Sequence, residues 1–213
     1  MITVLLVDDQ RLIRTGLRML LESTADMRVV GEAADGVEAV RLCAESAPAL
    51  ILMDLRMPGM DGVAATRQIV GSGSAAKVLV LTTFDDDEHL YPALAAGAAG
   101  FLVKDTAAAD LLSAIRRTID GDMPFSPALV PRLVGRALAG TPEAAPDTVA
   151  ITPREREVLA LVGTGASNQE IADRLHLGVT TVKTHVANLM DKTGCDNRVR
   201  LAVYAHRRGA DTG

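Results

Sequence analysis

Little in this chain could staple a fold together. Only two cysteines, Cys43 and Cys195, occur in 213 residues, too few for a disulfide framework or a structural zinc site. Both are read as reduced thiols. His176, His185 and His206 stand at no metal-ligand spacing. Tryptophan is absent and aromatics make up 2% of the chain, which leaves Ala, Val, Leu and Ile to build the core. Apolar residues still reach 48%, enough to exclude disorder as the general state. No stretch approaches the ~20 apolar residues of a membrane helix. The opening MITVLLVDDQ lacks the basic flank and the length of a signal peptide, so a soluble, cytoplasmic protein with no membrane partner is expected.

A basic surplus is missing too. The net charge is −5, which by itself argues against a nucleic-acid partner, but the charge is unevenly shared. From Thr148 onward nine Lys/Arg face seven Asp/Glu, a net of +2, while the residues before it hold thirteen against twenty, a net of −7. That split suits one half that holds a cation and another that meets phosphates.

Short apolar runs at Thr3–Val7, Arg28–Ala33, Leu50–Met53, Lys77–Leu81 and Gly100–Val103 read as buried parallel strands. Amphipathic segments lie between and after them, near Arg11–Glu22, Val37–Glu45, Val63–Val70, Glu88–Ala96 and Ala107–Asp120. In the first, Leu12, Leu17, Leu20 and Leu21 are expected to face the core, with Arg14 and Arg18 toward water. Asp61 and Thr106 read as helix caps. Five β-α repeats imply right-handed crossovers and a doubly wound α/β domain over residues 1–120, strand order 2-1-3-4-5. Pro124, Pro127, Pro131, Pro142 and Pro146 then punctuate a linker over 121–147, with a short helix near 128–138. The remainder, 148–213, reads as a separate all-α domain of four helices near Pro153–Val162, Asn168–Leu175, Val179–Lys192 and Asn197–Arg207. Thr152-Pro153 with Glu155 spells a capping box with proline at the first helical position.

The chemistry of the first domain sits at strand ends. Asp8 and Asp9 follow the first strand and Asp54 ends the third. In an open parallel sheet ligands bind beyond the carboxyl ends of strands where the order reverses, so the three carboxylates converge. Their repulsion calls for a hard divalent cation with oxygen ligands, and Mg²⁺ suits. Thr82 and Lys104, at the ends of the fourth and fifth strands, add a hydroxyl and an ammonium. The set equips Asp54 to accept a phosphoryl group. Taken singly, Asp9 could cap a helix, Lys104 could be solvated and Thr82 could be an ordinary strand residue.

The pattern DD at 8–9, MDLRMPGMDG over 53–62, Thr82 and Lys104 resembles the receiver domain of bacterial response regulators. That resemblance implies Asp54 as phosphoacceptor, Asp8, Asp9, Asp54 and the Arg56 backbone carbonyl around Mg²⁺, and Phe101 as a switch aromatic. It also implies a sensor histidine kinase as phosphoryl donor. Asp105 follows the lysine where receivers often have proline, while Arg56 and Phe84 occupy positions that tune dephosphorylation.

In the second domain, residues 168–190 read as helix, turn, helix. Val179, Val182, Val186, Leu189 and Met190 share one face of the second helix, and Thr181, Lys183, Thr184, Ala187 and Asn188 the other. The polar face is small enough for a major groove, although amphipathic helix pairs are common in domains that bind no nucleic acid. ITPREREVLALVGTG followed by SNQEIADRLHLGVTTVKTHVANLMDKTG is similar to the DNA-binding domain of the LuxR/NarL group. Thr180, Thr181 and the helix N-terminus suit phosphate, and the similarity implies base reading at Lys183 and Thr184 with His185 and Asn188 beside them. It further implies a dimerisation helix carrying Val199, Ala202 and Val203, homodimerisation on phosphorylation, operator DNA and RNA polymerase as partners, and Gly178 in place of a capping serine.

Three competing functions were weighed. Aspartyl-phosphate hydrolases of the haloacid dehalogenase type need a second Asp two residues after the nucleophile, where this chain has Arg56. A nucleotide-binding α/β protein would need a glycine-rich loop where VDDQR stands. A constitutive DNA binder would not need the full Asp8, Asp9, Asp54, Thr82, Lys104 set. The expectation is therefore a transcription regulator controlled by phosphorylation and not an enzyme.

Overall fold

The structure is a computed structural model that describes residues 1–83, 87–125, 150–195 and 197–210. The chain forms two compact units, Met1–Ser126 and Pro127–Gly213. The expected short helix near 128–138 lies outside the described residues.

In the first unit β1 (Ile2–Val7), β2 (Met27–Ala33), β3 (Leu50–Asp54), β4 (Lys77–Thr82) and β5 (Gly100–Val103) make one sheet ordered 2-1-3-4-5. All four pairings are parallel. Helices α1 (Arg11–Glu22), α2 (Gly36–Ser46), α3 (Gly62–Gly71), α4 (Asp87–Ala95) and α5 (Ala108–Ile119) form the crossovers and the segment after β5. Both sheet faces are covered, so the strands read as continuous apolar runs. Val4, Leu6, Leu50, Leu52, Leu79 and Leu81 pack with Leu21 of α1 and with Leu111 and Ile115 of α5. The alternate residues Leu5, Ile51, Met53, Val78 and Val80 are buried on the opposite face.

The α1 stripe differs from expectation. Leu12 is 82% exposed, while Leu21 is fully buried and Leu17 and Leu20 pack at the core edge. At 3.6 residues per turn, nine residues separate Leu12 and Leu21 by about 180° around the helix. Arg14, seven residues before Leu21, lies within about 20° of it and so turns inward. Its side chain is 13% exposed and pairs with Glu32. Arg18 faces outward more and meets Glu22 and Glu32.

Asp61 caps α3 by accepting from the Ala64 N–H at 2.7 Å, and Asp35 caps α2 in the same way through Glu38. The cap position of α5 is Ala107, without a side-chain cap, not Thr106. After α5 the chain returns to the sheet. Pro124 O accepts from the Phe101 N–H at 2.9 Å, Phe125 makes a single parallel bridge to Phe101, and the two rings stack with centroids 5.8 Å apart. A Cβ on Gly100 would lie 2.8 Å from Pro124 O. Only glycine lets that return segment lie so close.

The second unit contains α6 (Pro153–Gly163), α7 (Asn168–Leu175), α8 (Val179–Thr193) and α9 (Arg198–Ala210). The capping box at Thr152 forms: its hydroxyl accepts from the Glu155 N–H, and Glu155 accepts from the Thr152 N–H at 2.9 Å. A second box, not anticipated, joins Ser167 and Glu170 at the start of α7. Val158, Val162, Ile171, Val182, Val186, Leu189, Leu201 and Tyr204 form the core. α7 ends on His176 with φ 53°, a left-handed conformation carried by a non-glycine residue, and Gly178 two residues on is extended. Among the described residues, no helix is long and apolar enough to cross a membrane.

Candidate functional site

Strand register builds the acidic site. Val7 pairs with Met53, so Asp8 and Asp54 follow one step on, side by side at the carboxyl ends of β1 and β3. Asp9 joins them, and one oxygen from each of the three carboxylates lies within 4.8 Å of the others. Asp8 and Asp54 are 2% and 3% exposed, and Asp9 is open to solvent. Gln10, not Asp9, occupies the cap position of α1, and it caps with no side-chain bond. Asp9 therefore has no helix-capping role and remains available as a ligand.

Thr82 pairs with Val103, and the Lys104 N–H donates to Thr82 O at 2.7 Å. This brings both strand ends to the same pocket. Lys104 Nζ lies 2.7 Å from Asp8 Oδ2 and 2.8 Å from Asp54 Oδ2. Burial pushes the Asp54 carboxyl upward, and the Lys104 ammonium opposes that push. For Lys104 burial disfavours the charge, but bonds to Asp54 and Asp8 outweigh it and hold the ammonium above its ordinary range. Asp54 Oδ1 accepts from the Arg56 N–H at 3.4 Å, and Asp8 Oδ1 accepts from the Gln10 N–H at 2.9 Å. One ammonium neutralises one of three carboxylates. Clustered oxygen donors with residual negative charge, one side open to solvent, fit a hard divalent cation.

The loop after Asp54 folds back tightly. Gly62 N–H donates to Leu55 O at 3.0 Å, and a Cβ at Gly62 would fall 2.0 Å from the Asp54 carbonyl oxygen. Only glycine allows α3 to begin against the strand end that carries Asp54. Phe101, the expected switch aromatic, is fully buried beneath its stack with Phe125. Phe84 lies outside the described residues.

The second unit presents the expected α8 face. Thr180, Thr181, Thr184, Ala187 and Asn188 are exposed, and Lys183 and His185 are half-buried. Val182, Val186 and Leu189 of the same helix are buried. The Thr184 hydroxyl donates to Thr180 O at 3.0 Å, which leaves its methyl and oxygen lone pairs for a partner. On α9, Leu201 and Tyr204 belong to the core, Ala202 packs against it, and Val203 is half-buried. The Val199 side chain lies outside the described residues.

Two anchors of this unit escaped the sequence reading. Lys192 Nζ donates to both Glu155 oxygens at 2.7 Å, tying α8 to the cap of α6. That bond, with the Thr152 N–H, lowers the Glu155 carboxyl to about 2. Buried Arg198 donates to Asn168 Oδ1 at 2.8 Å and to Ala166 O at 2.6 Å, fixing the start of α9 to that of α7.

A five-stranded parallel unit with this acidic pocket, followed by a four-helix unit with an exposed polar helix face, defines a two-component response regulator. Residues 4–116 match the response regulator receiver domain, and residues 149–205 match the bacterial regulatory proteins of the luxR family. The chain belongs to the response regulators that carry a LuxR-type DNA-binding domain. It is 42% identical over 207 residues to the transcriptional regulatory protein LiaR of Bacillus subtilis, covering 97% of this chain and 98% of LiaR. The crystal structure of the response regulator ChrA, of a heme-sensing two-component system, aligns over 98% of each chain with TM-score 0.56 and 34% identity. A structure of two RcsB dimers bound to two parallel DNAs aligns over 95% of this chain and 97% of RcsB, with TM-score 0.59 and 26% identity.

Proposed function

We propose that Asp54 accepts a phosphoryl group from the phosphohistidine of a sensor kinase and that the product form binds operator DNA through α8. The observation that carries this reading is the convergence of Asp8, Asp9, Asp54 and Lys104 at the ends of β1, β3 and β5. An Asp54 carboxylate oxygen attacks phosphorus, the phosphorus–nitrogen bond of the donor breaks, and the histidine leaves with its electron pair. An acyl phosphate remains on Asp54. Asp8, Asp9, Asp54 and the Arg56 carbonyl would hold Mg²⁺, which would neutralise charge on the transferring group. Lys104 supplies the fixed positive charge, and the Thr82 hydroxyl takes a phosphate oxygen. Because Lys104 already spans Asp8 and Asp54, phosphorylation asks it to exchange a carboxylate partner for a phosphoryl one. β5 and Phe101 then shift with it.

In the second unit Lys183 and Thr184 read bases, His185 and Asn188 flank them, and Thr180 and Thr181 contact phosphate at the amino end of α8. The exposure of this face and the likeness to the DNA-bound RcsB dimers support that reading. By the same likeness the protein acts as a homodimer, with α9 contributing Val199, Ala202 and Val203. Its place is the cytoplasm, where it meets the kinase, the operator and RNA polymerase.

Intact mass after incubation with Mg²⁺ and acetyl phosphate tests the receiver chemistry. One phosphoryl adduct on the native chain and none on Asp54→Asn is expected. An adduct that persists on Asp54→Asn removes Asp54 from the role. Absence of an adduct on the native chain, both with acetyl phosphate and with sensor kinases, leaves a constitutive DNA binder.

A further inference from the structure

Arg14 stands outside every role assigned above, yet the fold sends it to the acidic loop. It lies one turn into α1, and its side chain is 13% exposed. Its Nη1 donates to the Asp8 carbonyl oxygen at 2.5 Å, and its Nε donates to Glu32 Oε2 at 3.2 Å. Glu32 sits on β2 opposite Leu6 of β1, two residues before Asp8. Arg18 Nε holds the other Glu32 oxygen at 2.6 Å, so the acceptor that anchors Arg14 is fixed from two sides.

The bond to Asp8 O matters because of the peptide it grips. That carbonyl belongs to the planar unit joining Asp8 to Asp9. Fixing the oxygen toward α1 fixes the whole plane, and with it the direction in which the Asp9 Cα, and then its side chain, continues. Two of the three acidic residues are thus set relative to each other by one guanidinium. The Gln10 N–H holds the Asp8 carboxylate at 2.9 Å, while the Arg14 guanidinium holds the peptide between Asp8 and Asp9.

We infer that Arg14 is a positioning residue for the divalent cation held by Asp8, Asp9 and Asp54. This inference rests on the cation reading given under the proposed function. Electrostatics alone predicts the opposite sign. Deleting a positive charge near an acidic cluster should tighten cation binding, whereas deleting a positioning group should weaken it. The direction of the change therefore decides.

The experiment titrates Mn²⁺ into the full-length chain and counts free ion by electron paramagnetic resonance, for the native protein, Arg14→Ala, Arg14→Lys and Glu32→Gln. Arg14→Ala should bind Mn²⁺ roughly 10-fold or more weakly, the size of loss seen when a group that orients a metal ligand is removed. The Mg²⁺ concentration needed for half-maximal labelling by acetyl phosphate should rise by the same factor, with labelling restored at saturating Mg²⁺. Arg14→Lys, which keeps the charge but not the fork, and Glu32→Gln, which loosens the anchor, should fall between. Equal or tighter Mn²⁺ binding by Arg14→Ala overturns the inference. If Arg14→Ala does not fold by circular dichroism, native affinity in Arg14→Lys overturns it instead. A purely structural role would lower the melting temperature equally with chelator and with Mn²⁺, and that result counts against positioning. Failure of the native chain to bind Mn²⁺ sinks the underlying cation reading, an outcome distinct from these.

Discussion

The receiver site and the α8 face solve opposite problems. In the receiver the working groups are buried and already committed to one another: Lys104 bonds two carboxylates, and Asp8 and Asp54 are almost wholly out of water. Its strength comes from charges fixed in place before the reaction begins, with only the Asp9 side open to solvent. On α8 Thr181 and Asn188 are exposed, Lys183 and His185 are half-buried, and the buried Val182, Val186 and Leu189 lie on the helix's other side. If α8 reads DNA as proposed, such a face gains its partners only on binding, and recognition there is a difference between sequences. Damage to the first should therefore be large and chemical, and damage to the second graded and specific to sequence.

The sharpest break comes at Lys104. Lys104→Ala should slow phosphoryl transfer by about 10²–10³-fold, the loss typical when one preorganised electrostatic donor is removed. It also strands Asp8 and Asp54 without their counter-charge, at a cost of roughly 3 kcal/mol. Melting curves should show that cost in chelator and its partial recovery in Mg²⁺, while Lys104→Ala at equal levels of folded protein keeps unphosphorylated DNA binding. Lys183→Ala should cost about 1–3 kcal/mol of discrimination between operator and mismatched DNA, read by fluorescence anisotropy, with phosphoryl labelling unchanged. Loss of labelling in that variant would erase the distinction between the two regions.

Glu155 offers a milder test inside the second unit. Replacing it with Gln should lower that unit's stability by about 2 kcal/mol through the weakened charged bonds. Tyr204 fluorescence in a Tyr91→Phe background reports it, since the chain has no tryptophan and Tyr204 lies in that core. The pH dependence has a definite sign. The folded Glu155 carboxyl sits near 2 against an ordinary 4.5, so its contribution is complete above about 4.5 and is lost as pH falls toward 2. Glu155→Gln should flatten that acid limb. The smallest effect belongs to Gly178→Ser, which adds a side-chain cap to α8. Gly178 has φ −74° and its Cβ position meets only Thr181 Oγ1 at 3.7 Å, so a gain of a few tenths of a kcal/mol is expected from thermal melts.

Much of this molecule could be read before the fold was known, for identifiable reasons. Asp8, Asp54 and Lys104 are legible because strand ends in a parallel sheet gather at one rim, and the strands announce themselves as apolar runs. The Thr152 box is legible because its residues are local. What resisted reading depends on angle or on distance along the chain. Leu12 belongs to a leucine-rich stretch, and composition masked the half-turn that carries it away from Leu21. Arg14 reads as water-facing because it is charged, although its angular position points inward. The Ser167 box is as local as the Thr152 one, spelled by residues 167–170. Lys192 with Glu155, and Arg198 with Asn168, join residues more than a turn of chain apart, and no spacing rule connects them. His176 takes a left-handed turn that nothing in its residue type announces.

The two residues Pro124 and Phe125 have a consequence for the chain as a physical object. β5 is the outermost strand of its sheet, and an outer strand offers open donors and acceptors to any other strand that drifts past. Here the Pro124 carbonyl occupies one of those donors, the Phe101 N–H, and Pro124 has no N–H of its own to offer a passing strand. Phe125 bridges to Phe101, and the Phe125 ring covers the Phe101 ring. A receiver trimmed back to Asp120 would lose that seal, baring an aromatic ring beside an open strand edge. Such a fragment should self-associate where one ending after Phe125 stays monodisperse.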